Sequence, residues 1–264
     1  MVRVVRSAPP LVSACPAPNA HRRLDQSHRL WHQAADHYGD PPNFVTNLNA
    51  LVQALRSVSL MLQSEKSALP EFDRWYAEWK ALAKQDRLMK WLNDARVQVF
   101  HVAELKTRST AHARILLSGP VAEANFDVPV EMPTPAIAAN LALFGLPPLP
   151  KMVRENAILA VERRWVCEDI DDLELLDVLA HCYTELVSLV RIGHEAASVD
   201  LASCELARPI HDDDVPSVGR PPCMLRHDDR RKRGLQLRKP CPWRLRSGSR
   251  CGGLYLQADD RHAG

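Results

Sequence analysis

The chain has 264 residues, 34 Lys+Arg against 32 Asp+Glu for a net charge of +2, and 46% hydrophobic residues. This length holds one or two domains of ordinary size, and the composition excludes wholesale disorder, a collagen and a disulfide miniprotein. No run approaches the roughly 18 apolar residues of a membrane-spanning helix, so no membrane partner is expected.

Residues 1–20 read as an unstructured leader. Leu11-Val-Ser-Ala-Cys15 resembles a bacterial lipoprotein cleavage box, yet Ser7, Pro9 and Pro10 occupy the space where a signal peptide needs an apolar stretch. His21 to His37 predicts a first helix with Leu24, Leu30, Trp31 and Ala34 or Ala35 on its apolar side, ended by Gly39-Asp-Pro-Pro42. Asn43 is a candidate cap for the next helix. There Phe44, Leu48, Leu51, Leu55, Val58 and Leu62 recur at steps of four and three, one face of a helix running to about Lys66.

Pro70-Glu71 opens a third helix whose Phe72, Trp75, Tyr76 and Trp79 are expected in the core. Asp86 is placed to cap a fourth, with Leu88, Leu92, Ala95, Val99 and Val102 on one side. Four helices joined by short connections predict an antiparallel bundle over residues 21–105. The segment 106–204 then opens with two β-favouring runs, Ala113–Leu117 and Phe126–Val130, around Gly119-Pro120. They predict a small hairpin that Pro129 restricts to an edge. From Pro133 the pattern turns helical again, with a break at Gly145–Pro150, a helix from Met152 to Trp165 and a last one from Ile170 to about Ala197. In that last helix Leu173, Leu176, Leu179, Tyr183, Leu186 and Val190 form the stripe, and Asp169, Asp171 and Asp172 suit the positive end of the dipole.

Residues 205–264 carry 13 of the basic and 8 of the acidic groups, a net +5 that leaves −3 for the rest. This Pro-, Arg- and Cys-rich segment has no period and reads as a disordered basic tail. Cys223, His227, Cys241 and Cys251 are a nominal zinc set, but they lack a Cys-x-x-Cys pair and fit no common zinc spacing. Seven cysteines, an odd and dispersed number, fit reduced thiols in a cytoplasmic protein. The fold class expected is therefore mainly α: bundle, short extended segment, second helical part and tail.

Gly-x-Gly-x-x-Gly, a Walker loop, a Gly-x-Ser-x-Gly elbow and His-Glu-x-x-His are all absent from the sequence. His28 and His32, four apart, share a helix face that offers either two imidazole ligands, joined by Asp25 or Asp36, or a polar surface. Neither a metal nor a cofactor is expected.

Arg96-Val-Gln-Val-Phe-His101, late on the fourth helix, has the form Arg-x4-His. With the helices around it, over about residues 20–105, this resembles the HEPN superfamily of helical-bundle proteins, which includes metal-independent ribonucleases and toxin components. Val97 departs from the polar residue usual there. The resemblance implies an RNase site between two protomers, in which Arg96 holds the phosphate and His101 moves protons at the ribose hydroxyl or leaving oxygen. A step of five residues turns about 140°, so the two side chains share no face and meet only across a groove or a dimer interface. Two readings stay open. One is a metal-independent ribonuclease or toxin-type homodimer acting on RNA through Arg96 and His101. The other is a non-catalytic helical protein-interaction or dimerisation module, in which both residues merely flank the buried stripe.

Overall fold

The computed structural model describes residues 14–101, 105, 107–117, 120–145, 149–170, 173–200, 204, 243–247 and 254–258. Mainly α is the correct class. The helices are α1 (Pro18–Asp36), α2 (Pro41–Ser64), α3 (Phe72–Ala83), α4 (Arg87–His101), α5 (Thr134–Asn140), α6 (Lys151–Asn156) and α7 (Leu175–Ala196). The strands are β1 (Thr107–Leu116), β2 (Pro120–Val128), β3 (Ile158–Cys167), β4 (Trp243–Ser247) and β5 (Leu254–Ala258), in sheet order β2-β1-β3-β5-β4 with antiparallel pairing throughout.

The six-residue stripe of α2 forms the centre of the larger core. Phe44, Leu48, Leu51, Leu55, Val58 and Leu62 are all buried, each worth about 1.5–3 kcal/mol of transfer free energy. Around it pack Leu24 and Trp31 of α1, Phe72 and Trp75 of α3, Trp91 and Leu92 of α4, and most of α7. Helix α7 buries a broad face along its whole length, from Leu175 through Val190 to His194. Its position closes the bundle that α1 to α4 begin.

Sheet and bundle meet along β3. Strand β1 alternates cleanly, with Ser109, Ala111, Ala113 and Ile115 turned inward. Of these, Ala111, Ala113 and Ile115 join Val128, Ile137, Ala138, Leu159 and Val161 in a second core. The far end of β3 leaves that core, and Trp165 and Cys167 enter the first. Phe44 stacks on Trp165 with ring centroids 4.6 Å apart. The opposite face of the sheet carries the ion pairs Arg108–Asp127 and Arg114–Glu162 and a contact between His112 and Glu123.

Several expectations need correction. The segment read as a helix from Met152 to Trp165 is helical only to Asn156 and is then strand β3. With helices against one side and neighbours on both edges, β3 buries apolar groups on both faces, so its sequence shows neither a two- nor a 3.6-residue period. The unstructured leader does not extend to residue 20: α1 begins at Pro18, and Cys15, Ala17 and Ala20 are buried. Residues 1–13 lie outside the described residues. Helix α2 is preceded by Asp40, and Asn43 serves instead by donating its amide to Asp40 Oδ2 at 2.7 Å. Helix α7 starts at Leu175, where Glu174 accepts the Asp177 amide at 3.0 Å. Asp169 sits in a preceding 3-10 turn, Leu173 is exposed, and Asp171 and Asp172 lie outside the described residues.

The hairpin of β1 and β2 is where the β-favouring runs place it. Asp86 caps α4 through amides at Leu88 (2.7 Å) and Met89 (3.1 Å). The segment read as a disordered basic tail is not wholly so: Trp243–Ser247 and Leu254–Ala258 are strands β4 and β5, and the rest of residues 205–264 lies outside the described residues. Within those residues no helix is long and apolar enough to cross a membrane.

Candidate functional site: a cysteine–histidine cluster at the ends of α1 and α7

The first turn of α1 has no capping side chain of its own, since the preceding residue is Ala17. Its orphan amides are met from elsewhere in the fold. Glu65, just past the end of α2, accepts from the Asn19 amide at 2.8 Å and the Ala20 amide at 3.1 Å, placing a carboxylate at the positive end of the helix. This contact fixes the start of α1 against the end of α2, and the last turn of α7 packs on the same place. Four side chains converge there: Cys15, three residues before α1; His21, in its first turns; His194, in the last turn of α7; and Cys204, beyond it.

One ligand-type atom from each of these residues lies within 4.8 Å of all the others. Cys15 Sγ is 3.4 Å from His194 Nε2 and 3.6 Å from His21 Nδ1, and Cys204 Sγ is 3.8 Å from the same His21 nitrogen. The two imidazoles stand edge to face, 5.4 Å apart at 84°. Cys15, His194 and Cys204 are buried and His21 is half-buried. His194 Nδ1 lies 2.8 Å from the Val190 carbonyl, which can only accept, so that nitrogen carries the proton and Nε2 presents its lone pair to the cluster. Burial pushes the Cys15 thiol up to about 12, with the neighbouring Cys204 adding to the effect. Burial, reinforced by His194, lowers His21 against the opposing pull of Asp25.

The other polar clusters have structural uses. Glu174 caps α7 with one oxygen and accepts the Tyr38 hydroxyl with the other at 2.7 Å, while Tyr38 accepts the Trp165 amide at 3.2 Å. Burial raises Glu174 to about 7, against the opposing effect of these hydrogen bonds. Buried Arg163 donates to Ser109 Oγ (2.7 Å), Met132 O (2.6 Å), Val130 O (2.7 Å) and Pro129 O (3.4 Å), tying down the turn after β2, and its guanidinium lies 4.0 Å from the Trp165 ring centroid. Burial lowers Arg163 to about 10, still cationic at neutral pH. Asp86, His181 and Glu185 also converge, but half-exposed, and Asp86 is already the α4 cap. Its second oxygen is 2.6 Å from His181 Nε2. Burial would raise the Asp86 carboxyl, but that bond and the two amides outweigh burial and hold it below its ordinary value.

Arg96 is half-buried on α4 and engaged with neighbouring groups, Val97 is exposed, and His101 is the last residue of α4, with its side chain outside the described residues. His28 and His32 do meet, with their Nε2 atoms 3.1 Å apart. The tail set Cys223, His227, Cys241 and Cys251 lies outside the described residues.

Sequence reading missed the cluster at the helix ends. The spacing is Cys-x5-His, a long interval, then His-x9-Cys, which matches no compact metal motif. The only usable signal was that His21 and Cys15 lie close in sequence, as do His194 and Cys204, at the two ends of strongly periodic helices.

Comparison with known proteins gives two findings. Residues 11–248 match the family model described as bacteriophage lambda protein ea47. Over 172 residues the chain is 31% identical to the protein named "Protein ea47" of Escherichia phage lambda, an alignment covering 61% of this chain and 40% of that relative. The chain thus spans well under two thirds of the relative's length. No solved structure matches. The family match overturns the HEPN resemblance. That resemblance rested on one Arg-x4-His spacing within residues 20–105, whereas the match runs on through the hairpin, β3 and α7, which share the cores described above.

Proposed function

This chain belongs to the bacteriophage lambda protein ea47 family, and from that premise we propose that it is a non-catalytic helical protein-interaction module that associates with a second copy of itself. The observation that carries this reading is how the fold employs its most perturbed ionisable groups. Strongly shifted groups gather at active sites when they are held ready for a substrate. Here Glu174, Tyr38, Arg163 and Cys182 are each bonded to a neighbour within the fold, as a helix cap, a strand tie, a turn clamp and a thiol on the Leu88 carbonyl. Their shifts are the cost of burial in a scaffold, and the groups are saturated by that scaffold. The cysteine–histidine cluster likewise lies where the start of α1 meets the end of α7, a position in the frame of the bundle. An interaction module needs this kind of rigid frame, with the charged outer face of the sheet and the remaining helix surfaces presented to partners.

The test uses the full chain. Sedimentation velocity over a concentration series is expected to show reversible dimers, and a chain that stays monomeric overturns the self-association. RNA incubated with the protein in EDTA is expected to remain intact. Cleavage that disappears in the His101→Ala variant overturns the non-catalytic reading in favour of a metal-independent ribonuclease.

A further inference from the structure

We propose that Cys15, His21, His194 and Cys204 bind one structural zinc ion, which clasps the start of α1 to the end of α7. The argument begins with distances. Zinc binds thiolate sulfur at about 2.3 Å and imidazole nitrogen at about 2.0–2.1 Å, so a tetrahedral site has sulfur-to-nitrogen edges of about 3.6 Å. The three such edges resolved in the cluster are 3.4, 3.6 and 3.8 Å. Three of the six edges thus match those of a tetrahedral ion, and all four ligand atoms lie within 4.8 Å of one another.

The chemistry of the set agrees. Two sulfurs and two imidazole nitrogens in tetrahedral array select zinc over the oxygen-seeking divalent cations. His194 is oriented as a ligand: its Nδ1–H is committed to the Val190 carbonyl, which fixes the tautomer and aims Nε2 into the cluster. Among the described residues His21 Nδ1 is met by two sulfurs, at 3.6 and 3.8 Å, and thiols are weak hydrogen-bond partners for a half-buried nitrogen. Four protein ligands leave no position open for water or substrate, which marks the site as structural.

Its place in the fold gives it a role. Cys15 lies three residues before α1 and Cys204 eight residues after α7, so the ion fixes both the segment that enters the bundle and the segment that leaves it. Helix α7 is the element that completes the larger core. A metal clasp at its end joins parts of the chain far apart in sequence, where loop closure is entropically most expensive.

The test is metal analysis of the full-length protein after gel filtration. The expected content is about one zinc per chain, the stoichiometry of one closed four-ligand site. Cobalt replacing zinc should give the visible absorption of a four-coordinate ion with sulfur-to-metal charge transfer. Cys15→Ser and Cys204→Ser should each weaken zinc retention against a chelator by more than about tenfold, since loss of even a hydrogen-bond partner of a ligand costs about 10–100-fold. In the wild type, chelation should raise amide exchange around residues 15–21 and 194–200. Cys223→Ser, Cys241→Ser and Cys251→Ser should retain the metal.

Three results would overturn the proposal. One is a folded wild-type chain, verified by circular dichroism, that neither carries zinc nor gives the cobalt spectrum. Another is a disulfide between Cys15 and Cys204 in protein prepared without oxidant. The third is zinc that survives Cys15→Ser and is lost in the tail variants. Because the wild-type cobalt spectrum is read without any substitution, a variant that fails to fold does not obscure the answer.

Discussion

Arg163 offers the sharpest test of how sheet and bundle are held together. It lies on β3, the strand shared by both cores, and its guanidinium gathers Ser109 Oγ, Met132 O, Val130 O and Pro129 O while lying against Trp165. Arg163→Met keeps much of the apolar stem but removes every donor. Ser109 is fully buried and loses its partner, which costs about 1–3 kcal/mol. The Val130 and Met132 carbonyls are only part-buried, so water recovers some of their loss, leaving about 0.5–1.5 kcal/mol for each. A total near 3 kcal/mol is expected, to the order of magnitude. Arg163→Lys keeps the charge but cannot spread a planar fork over three directions, so a loss of about 1–2 kcal/mol is expected. Urea unfolding of the full chain, followed by tryptophan fluorescence and far-ultraviolet circular dichroism, measures both. Amide exchange should rise over residues 129–134 first. An Arg163→Met protein within about 0.5 kcal/mol of wild type, with that turn still protected, would refute the clamp.

Glu174 predicts a pH dependence. Burial raises its folded value to about 7 from an ordinary 4.5, so the folded state holds the proton more tightly. Its contribution is complete below about pH 4.5 and is lost as pH rises through 7, a decline of up to a few kcal/mol. Unfolding free energies at intervals from pH 4.5 to 8 should show this fall and Glu174→Gln should flatten it; an unchanged slope in the variant would disprove the assignment. Asp86→Ala removes the α4 cap and the His181 bond together, with an expected loss of about 1–2 kcal/mol in denaturant melts. The depressed Asp86 carboxyl contributes fully above its unfolded value and loses that contribution as pH falls, so the gap between Asp86→Ala and wild type should close in acid. Leu55→Ala, at the fully buried centre of the α2 stripe, should cost about 2–5 kcal/mol; a loss under 1 kcal/mol would contradict the core placement.

What could be read from the sequence was what local physics dictates. Phe44 to Leu62 recur at the helical period because one face of α2 is buried and the other wet. Asp86 announces α4 because its side chain reaches amides two and three residues on. Ala113–Leu117 and Phe126–Val130 flank turn residues and pair as neighbours. Where a segment is buried on both faces, this information vanishes, and β3 reads as a helix; where the period runs on past the packed face, as at exposed Leu173, it overstates the helix, and α7 begins only at Leu175.

Tertiary structure alone decided the contacts between residues distant in the chain. The cap of α1 comes from Glu65 at the end of α2, a carboxylate that no local pattern could assign. The Arg-x4-His spacing drew attention to Arg96 and His101 because those residues are near in sequence. The set that the fold does assemble, Cys15, His21, His194 and Cys204, is split in sequence between the start of α1 and the segment after α7. Periodicity records which side of a helix is buried. It carries nothing about which other helix end lies beside it, because that depends on how whole faces pack, and so the closure of α7 onto α1 and the cluster it creates are visible only in three dimensions.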